Sequence, residues 1–214
     1  TIRSVERKSD DKMNVLANED IPSRNPYYRY VLEEMCGGIT HKEFQDTKIT
    51  RSQNAMDYIE WNGGNYKDVS KWMYKQGYTK LAERCMVMDK KLSEGGNIMR
   101  KICHFPKGTI GAFVGHMPKH LTHPDEDRYL TLRECLSIMK LPKDFELQGG
   151  VKNLNHICQN VPVTTAEDMA VHVEKFVDGR LSNQLLSTDF LIQDNTNHKL
   201  NFEKNSVQLD AFMV

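Results

Sequence analysis

Apolar residues recur at helical spacing through the first half of this chain, and the pattern breaks where glycines cluster. Asn25-Pro26 offers an N-cap and a first helical residue. The short helix that follows carries Tyr27, Tyr30 and Val31 on one face and ends at Gly37-Gly38. Asn62-Gly-Gly-Asn65 marks a turn, after which Asp68 is expected to cap a helix presenting Val69, Trp72 and Met73 and stopped by Gly77. Thr79 opens another, with Leu81, Cys85, Met88 and Leu92 at intervals of four, three and four, closed by Gly95-Gly96. The first twenty or so residues are polar and read as a lead-in.

Residues 98–124 change character. Met99 to Val114 reads as irregular and β-like, punctuated by Pro106, Gly108, Gly111 and Gly115. Arg128 to Phe145 contains a short helix packing Leu132, Leu136 and Met139 and terminated by Pro142. Val161-Pro-Val163 leads into a helix opened by Thr165, with Met169, Val173 and Phe176 on its apolar face and Gly179 at its end. Two apolar stretches around Phe190-Leu-Ile192 and Leu200 to Phe202, separated by Asp194 to Asn197, read as a β-hairpin. The expected fold class is therefore mixed α/β: a small domain of irregular β structure with inserted helices, followed by a packing helix.

Length and composition narrow the class. The 214 residues suffice for one domain or two small ones, and 39% hydrophobic with 27% charged residues describes a globular chain. No apolar run approaches the ~20 residues that span a bilayer, so no membrane is expected. The chain opens on Thr1 rather than Met, which suggests a trimmed or excised piece. Twenty-nine Lys and Arg balance 29 Asp and Glu, so any nucleic-acid surface must gather its cations on one face or share the task with a partner. Five scattered cysteines form no C-x-x-C pair, which points to reduced thiols in a cytoplasmic protein and no metal site.

The most informative stretch is Arg128-Tyr-Leu-Thr-Leu-Arg-Glu-Cys135, continued by Leu141-Pro-Lys-Asp-Phe145. It resembles the ninth conserved motif of the cytosine-5 DNA methyltransferases, R-x-L-T-x-R-E followed by a helix and F-P-x-x-F. His156-Ile-Cys-Gln-Asn-Val-Pro-Val163 is similar to the tenth motif, Q-I-G-N-S/A-V-P, in the family's order and spacing. The resemblance implies an architectural role for Arg128, Thr131, Arg133 and Glu134, with the paired Arg and Glu fixing a strand-to-helix turn. It implies that Gln159, Asn160 and Val161 line an S-adenosylmethionine pocket. Cys158, Gln159 and Asn160 depart from the family's Gly, Asn and small residue. A strand leading into a packing helix is the plain alternative for this segment.

In the family, the region before the ninth motif forms a variable target-recognition domain. Lys107-Gly-Thr-Ile-Gly111 through His116 looks like its recognition loop. Lys101, Lys107, Thr109, Gly111, Gly115, His116 and Lys119 are the expected contacts with double-stranded DNA, since glycines permit close backbone approach and cations reach phosphates.

The catalytic chemistry is absent: no Cys follows Pro, no Glu-Asn-Val occurs, and Gly37-Gly38 follows no strand. No catalytic residue is assigned. The expected layout is a lead-in and end of a catalytic region (1–50), a recognition domain (51–124), the two motifs (125–180) and a tail (181–214). The implied function is the recognition and pocket-completing part of a cytosine-5 methyltransferase. Its partner would be a catalytic subunit or upstream segment, and the chain alone would be inactive. Two other classes stand beside it: a non-catalytic DNA-binding or regulatory protein derived from such a C-terminus, and a helix-turn-helix binder built on residues 68–92.

Overall fold

Helix accounts for 55% of the described residues, while extended structure amounts to 4% in isolated bridges with no sheet among them, which overturns the mixed α/β expectation. The computed structural model describes residues 2, 5, 7–48, 54–106, 115 and 117–180. The expected hairpin at 190–202 lies outside them. The chain divides into two compact units, Thr1–Ala166 and Glu167–Val214. No helix among the described residues is long and apolar enough to cross a membrane.

In the first unit, α1 (Pro26–Tyr30) is capped by Asn25, whose side chain accepts from the Tyr27 amide at 3.1 Å, and it continues as a π turn, Val31–Met35. Helix α2 (His41–Glu43) opens with a Thr40–Glu43 capping box and runs into a π turn, Phe44–Lys48. Helix α3 (Ala55–Trp61), capped by Asn54, has no counterpart in the sequence reading. Helix α4 (Tyr66–Lys75) is capped by Asn65, not Asp68: the Asp68 amide donates to the Asn65 side chain at 2.8 Å. Helix α5 (Thr79–Ser93) follows a turn in which Gly77 takes φ +82°, a conformation that L side chains rarely adopt.

These helices enclose one core. Tyr28, Phe44, Ile59, Tyr66, Val69, Met73, Cys85 and Phe105 are buried there. Tyr28, Phe44 and Phe105 stack edge-on or tilted with centroids 5.1–5.3 Å apart, adding to what burial alone gives. Helices α4 and α5 lie close enough for the Ser70 hydroxyl to donate to the Ala82 carbonyl at 2.8 Å.

A second core joins Met13, Ala17, Leu121, Leu130, Leu132, Leu136, Leu154 and Ile157. It forms around α6 (Leu132–Ile138) and a 3₁₀ segment, Gly150–Gln159. Tyr129 enters the first core and Leu130 the second, the two-sided alternation of extended backbone. The supposed lead-in is structural: the Leu132 and Arg133 amides donate to the Val15 and Met13 carbonyls, both at 2.8 Å.

The β-like reading of 99–114 fails for a local reason where it can be followed. Asn54 bridges His104, His104 bridges Leu121, and Thr122 bridges Tyr129, each as a single pair. Cys103 sits at φ +50°, and Pro106, Pro118 and Pro124 donate no ladder hydrogen bonds, so pairing never extends into a strand. The segment before the last helix is likewise 3₁₀ rather than a strand. That helix, α7 (Val163–Val177), begins directly after Pro162 and not at Thr165. In the second unit the described residues are Glu167–Arg180, the body of α7 and its end.

Candidate functional site

Thr131 places the ninth-motif residues. Its extended backbone and hydroxyl cap α6: the Glu134 amide donates to Thr131 Oγ1 at 3.2 Å, and the Thr131 amide returns a bond to Glu134 Oε2 at 2.7 Å. That box fixes the Glu134 carboxylate in the interior, 1% exposed.

A buried carboxylate requires a partner. Arg128 supplies one: Nη2 donates to Glu134 Oε1 and Nη1 to Oε2, both at 2.8 Å, a two-point charge-assisted contact. Arg128 also reaches the Tyr129 carbonyl at 3.0 Å and Glu126 at 2.9 Å. Burial opposes the charge on Glu134, yet the hydrogen bonds from Arg128 and the Thr131 amide outweigh it and hold the carboxyl below its ordinary range.

Arg133, adjacent in sequence to Glu134, faces elsewhere. Its Nε donates to Asp11 Oδ2 at 2.6 Å, its Nη2 to Asp11 Oδ1 at 2.9 Å, and its Nη1 to the Phe145 carbonyl at 2.9 Å. The Arg133 guanidinium holds the Asp11 carboxyl below the usual range. The expected pairing of Arg and Glu therefore resolves into two separate ion pairs. Phe145 contributes its carbonyl to this network while its side chain remains partly exposed.

Two histidines that the sequence reading passed over lie beside this knot. His123 Nδ1 accepts from the Asp125 and Glu126 amides at 3.2 and 3.1 Å, and its Nε2 stands 3.8 Å from Glu134 Oε1. The His123 carbonyl accepts from His41 Nε2 at 2.6 Å, and His41 Nδ1 takes the Tyr28 hydroxyl at 2.9 Å. Burial lowers the pKa of both rings, and Arg128 adds to the effect at His123. Nothing in their spacing, at positions 41 and 123, announces this pairing. The only local signal is the His-Pro-Asp-Glu turn at 123–126.

The tenth-motif residues divide by exposure. Ile157 anchors the 3₁₀ segment in the second core, whereas Gln159, Asn160 and Val161 are all exposed. The Asn160 amide donates to the His156 carbonyl at 2.7 Å. Gln159 and Asn160 present amide groups and Val161 an apolar flank on this exposed edge. Cys158 is half-buried, and burial pushes its thiol pKa up, so it supplies no ready thiolate.

Of the expected DNA contacts, Lys107, Thr109, Gly111 and His116 lie outside the described residues. Lys101 is exposed, next to Arg100, which is held by a two-point link to Glu60. Gly115 is exposed at φ +54°. Lys119 is half-buried, with its carbonyl accepting from the Asn18 amide at 3.1 Å.

Taken by itself, α7 buries no residue: Met169, Val173 and Phe176 are 62%, 61% and 70% exposed and share one face. Comparison with family models, with curated proteins and with solved structures yields no match to the chain.

Proposed function

We propose that the chain is the DNA-recognition and cofactor-pocket-completing part of a cytosine-5 DNA methyltransferase, acting with a catalytic part carried elsewhere. One observation carries this reading. Arg128, Thr131 and Glu134 of the ninth motif interlock around a buried carboxylate, and, among the described residues, the tenth-motif residues Gln159, Asn160 and Val161 and, on α7, Met169, Val173 and Phe176 are exposed. Burying side chains such as Met169, Val173 and Phe176 is worth about 1.5–3 kcal/mol each, so an exposed face of this kind favours association. In this reading double-stranded DNA binds the recognition part. Gln159, Asn160 and Val161 supply one wall for S-adenosylmethionine, and the partner supplies the nucleophile, the general acid and the rest of the pocket.

The alternative, a non-catalytic DNA-binding or regulatory protein, draws on Cys158 standing where the family carries Gly. One experiment separates the two. The tagged chain is purified from its native source, and a co-purifying protein carrying the Pro-Cys and Glu-Asn-Val elements is identified by mass spectrometry. Transfer of a radiolabelled methyl group to DNA is then measured for each chain and for the mixture. The expected result is no transfer by this chain alone and transfer by the mixture. Transfer that proceeds equally well without this chain would overturn the proposal.

A further inference from the structure

The chain as a whole carries no net charge, but its cations are not evenly spread. Residues 66–95, which form α4, the Gly77 turn and α5, hold seven Lys and Arg against four Asp and Glu. Two of those cations are engaged locally, Lys71 with Asp68 at 2.8 Å and Lys90 with Glu94 at 3.8 Å. Lys80, Arg84 and Lys91 are exposed, and none forms an ion pair with any described residue.

Helical geometry brings these three together. At 3.6 residues per turn, positions 80, 84, 87 and 91 fall within roughly 60° of arc on one side of α5. Val87, 67% exposed, lies among them. Ala82 and Cys85, both buried, mark the opposite side, which packs in the first core with Met73 of α4. The acidic residues that break up the basic run in sequence do not break up this stripe. Asp89 is half-buried and projects from the far side of the helix, while Glu83 and, at the helix end, Glu94 border the cations, Glu94 being engaged by Lys90.

We infer that the Lys80–Arg84–Lys91 stripe of α5 binds the phosphate backbone of double-stranded DNA, as a second anchoring surface in addition to the recognition segment. This inference rests on the proposed function. A chain with no overall positive charge gains DNA affinity only where cations are concentrated and not engaged internally, and among the described residues this stripe meets both conditions. Lys80 and Lys91 are separated by about 16 Å along the helix axis, enough to reach phosphates on both sides of a major groove about 12 Å wide. The expected contact is electrostatic and blind to sequence, because lysine and arginine on a smooth helix face meet phosphates before base edges. The close α4–α5 packing through Ser70 and Ala82 fixes the backbone that carries the stripe, so binding orders only the side chains.

The test measures binding of the full chain to a fluorescently labelled 30-base-pair duplex of mixed sequence, across a salt series. Replacing Lys80, Arg84 and Lys91 together with Ala removes up to three phosphate contacts. The slope of log K against log salt should become shallower by roughly 2–3, since each contact contributes about 0.9. Circular dichroism should be unchanged, because alanine is a strong helix former at exposed positions. Glu83→Lys should act oppositely, tightening binding and steepening the slope. An unchanged slope in the triple variant, with the unaltered chain binding normally, would overturn the stripe and leave the proposed function standing. Failure of the unaltered chain to bind duplex DNA at any salt would overturn both. If the triple variant does not fold, Glu83→Lys decides: no gain in affinity refutes the inference.

Discussion

Arg133 grips Asp11 across 122 residues of chain, with Nε 2.6 Å from one carboxylate oxygen and Nη2 2.9 Å from the other. The contact ties the start of the chain to α6 and, through the Phe145 carbonyl, to the segment that follows the helix. Arg133→Ala should lower folding stability by about 1–3 kcal/mol, the cost of leaving charged hydrogen-bonding partners unmet. Arg133→Lys should recover only part of that loss, because an ammonium cannot reproduce the two-point fork. Urea denaturation of both variants and of Asp11→Ala provides the check. Additive effects of Arg133→Ala and Asp11→Ala would show that the two side chains do not cooperate.

The Arg128–Glu134 pair is more deeply buried and should be more costly to break. Arg128→Ala leaves Glu134 charged in the interior with only the Thr131 cap, and a loss of about 3–5 kcal/mol is expected. Replacing both residues with apolar side chains of similar volume should cost much less, since no charge is then stranded. A denaturation midpoint for Arg128→Ala equal to that of Arg133→Ala would contradict this ranking.

Acid should destabilise the fold in two stages. His41 and His123 have native pKa values below the ordinary 6.5, so in mild acid the unfolded chain takes up protons that the native rings refuse. Their contribution is complete above pH 6.5 and is lost as the pH falls through the native values. Glu134 and Asp11, also depressed, add a second loss as the pH falls below the ordinary carboxyl values of 4.5 and 3.8. His123→Asn, whose side-chain oxygen can take the same two amide protons, should flatten the first stage. Urea midpoints measured from pH 8 to pH 3 would show it; a midpoint constant from pH 7 to pH 5 in the unaltered chain would refute it.

Phe176→Asp should leave the melting temperature of the chain unchanged, because the side chain is 70% exposed. The same change should weaken association with the catalytic part by tenfold or more, the equivalent of about 1.5–3 kcal/mol of lost apolar burial. Calorimetric titration of the two chains gives the measurement. Equal affinity for the variant would remove α7 from the interface.

Much of the helical half was legible in the sequence. Asn25-Pro26, the apolar spacing of α5 and the Gly77 and Gly95 stops act within a few residues, through caps and side-chain periodicity, and they decide local structure before any packing occurs. The Thr131-to-Glu134 box is local in the same way and sets the start of α6. Pairing between distant segments could not be read in this way. Extended residues near 104, 121 and 129 meet only as single bridges. Whether they form a sheet depends on backbone donors that Pro118 and Pro124 lack and on the left-handed turn at Cys103. The same limit applies to charge. The sequence places Arg133 beside Glu134, but α6 turns successive side chains about 100° apart, so the neighbours serve different partners. Tertiary structure alone decided that Glu134 receives Arg128 and that Arg133 reaches back to Asp11, because buried charges take the partners that folding brings within hydrogen-bond distance.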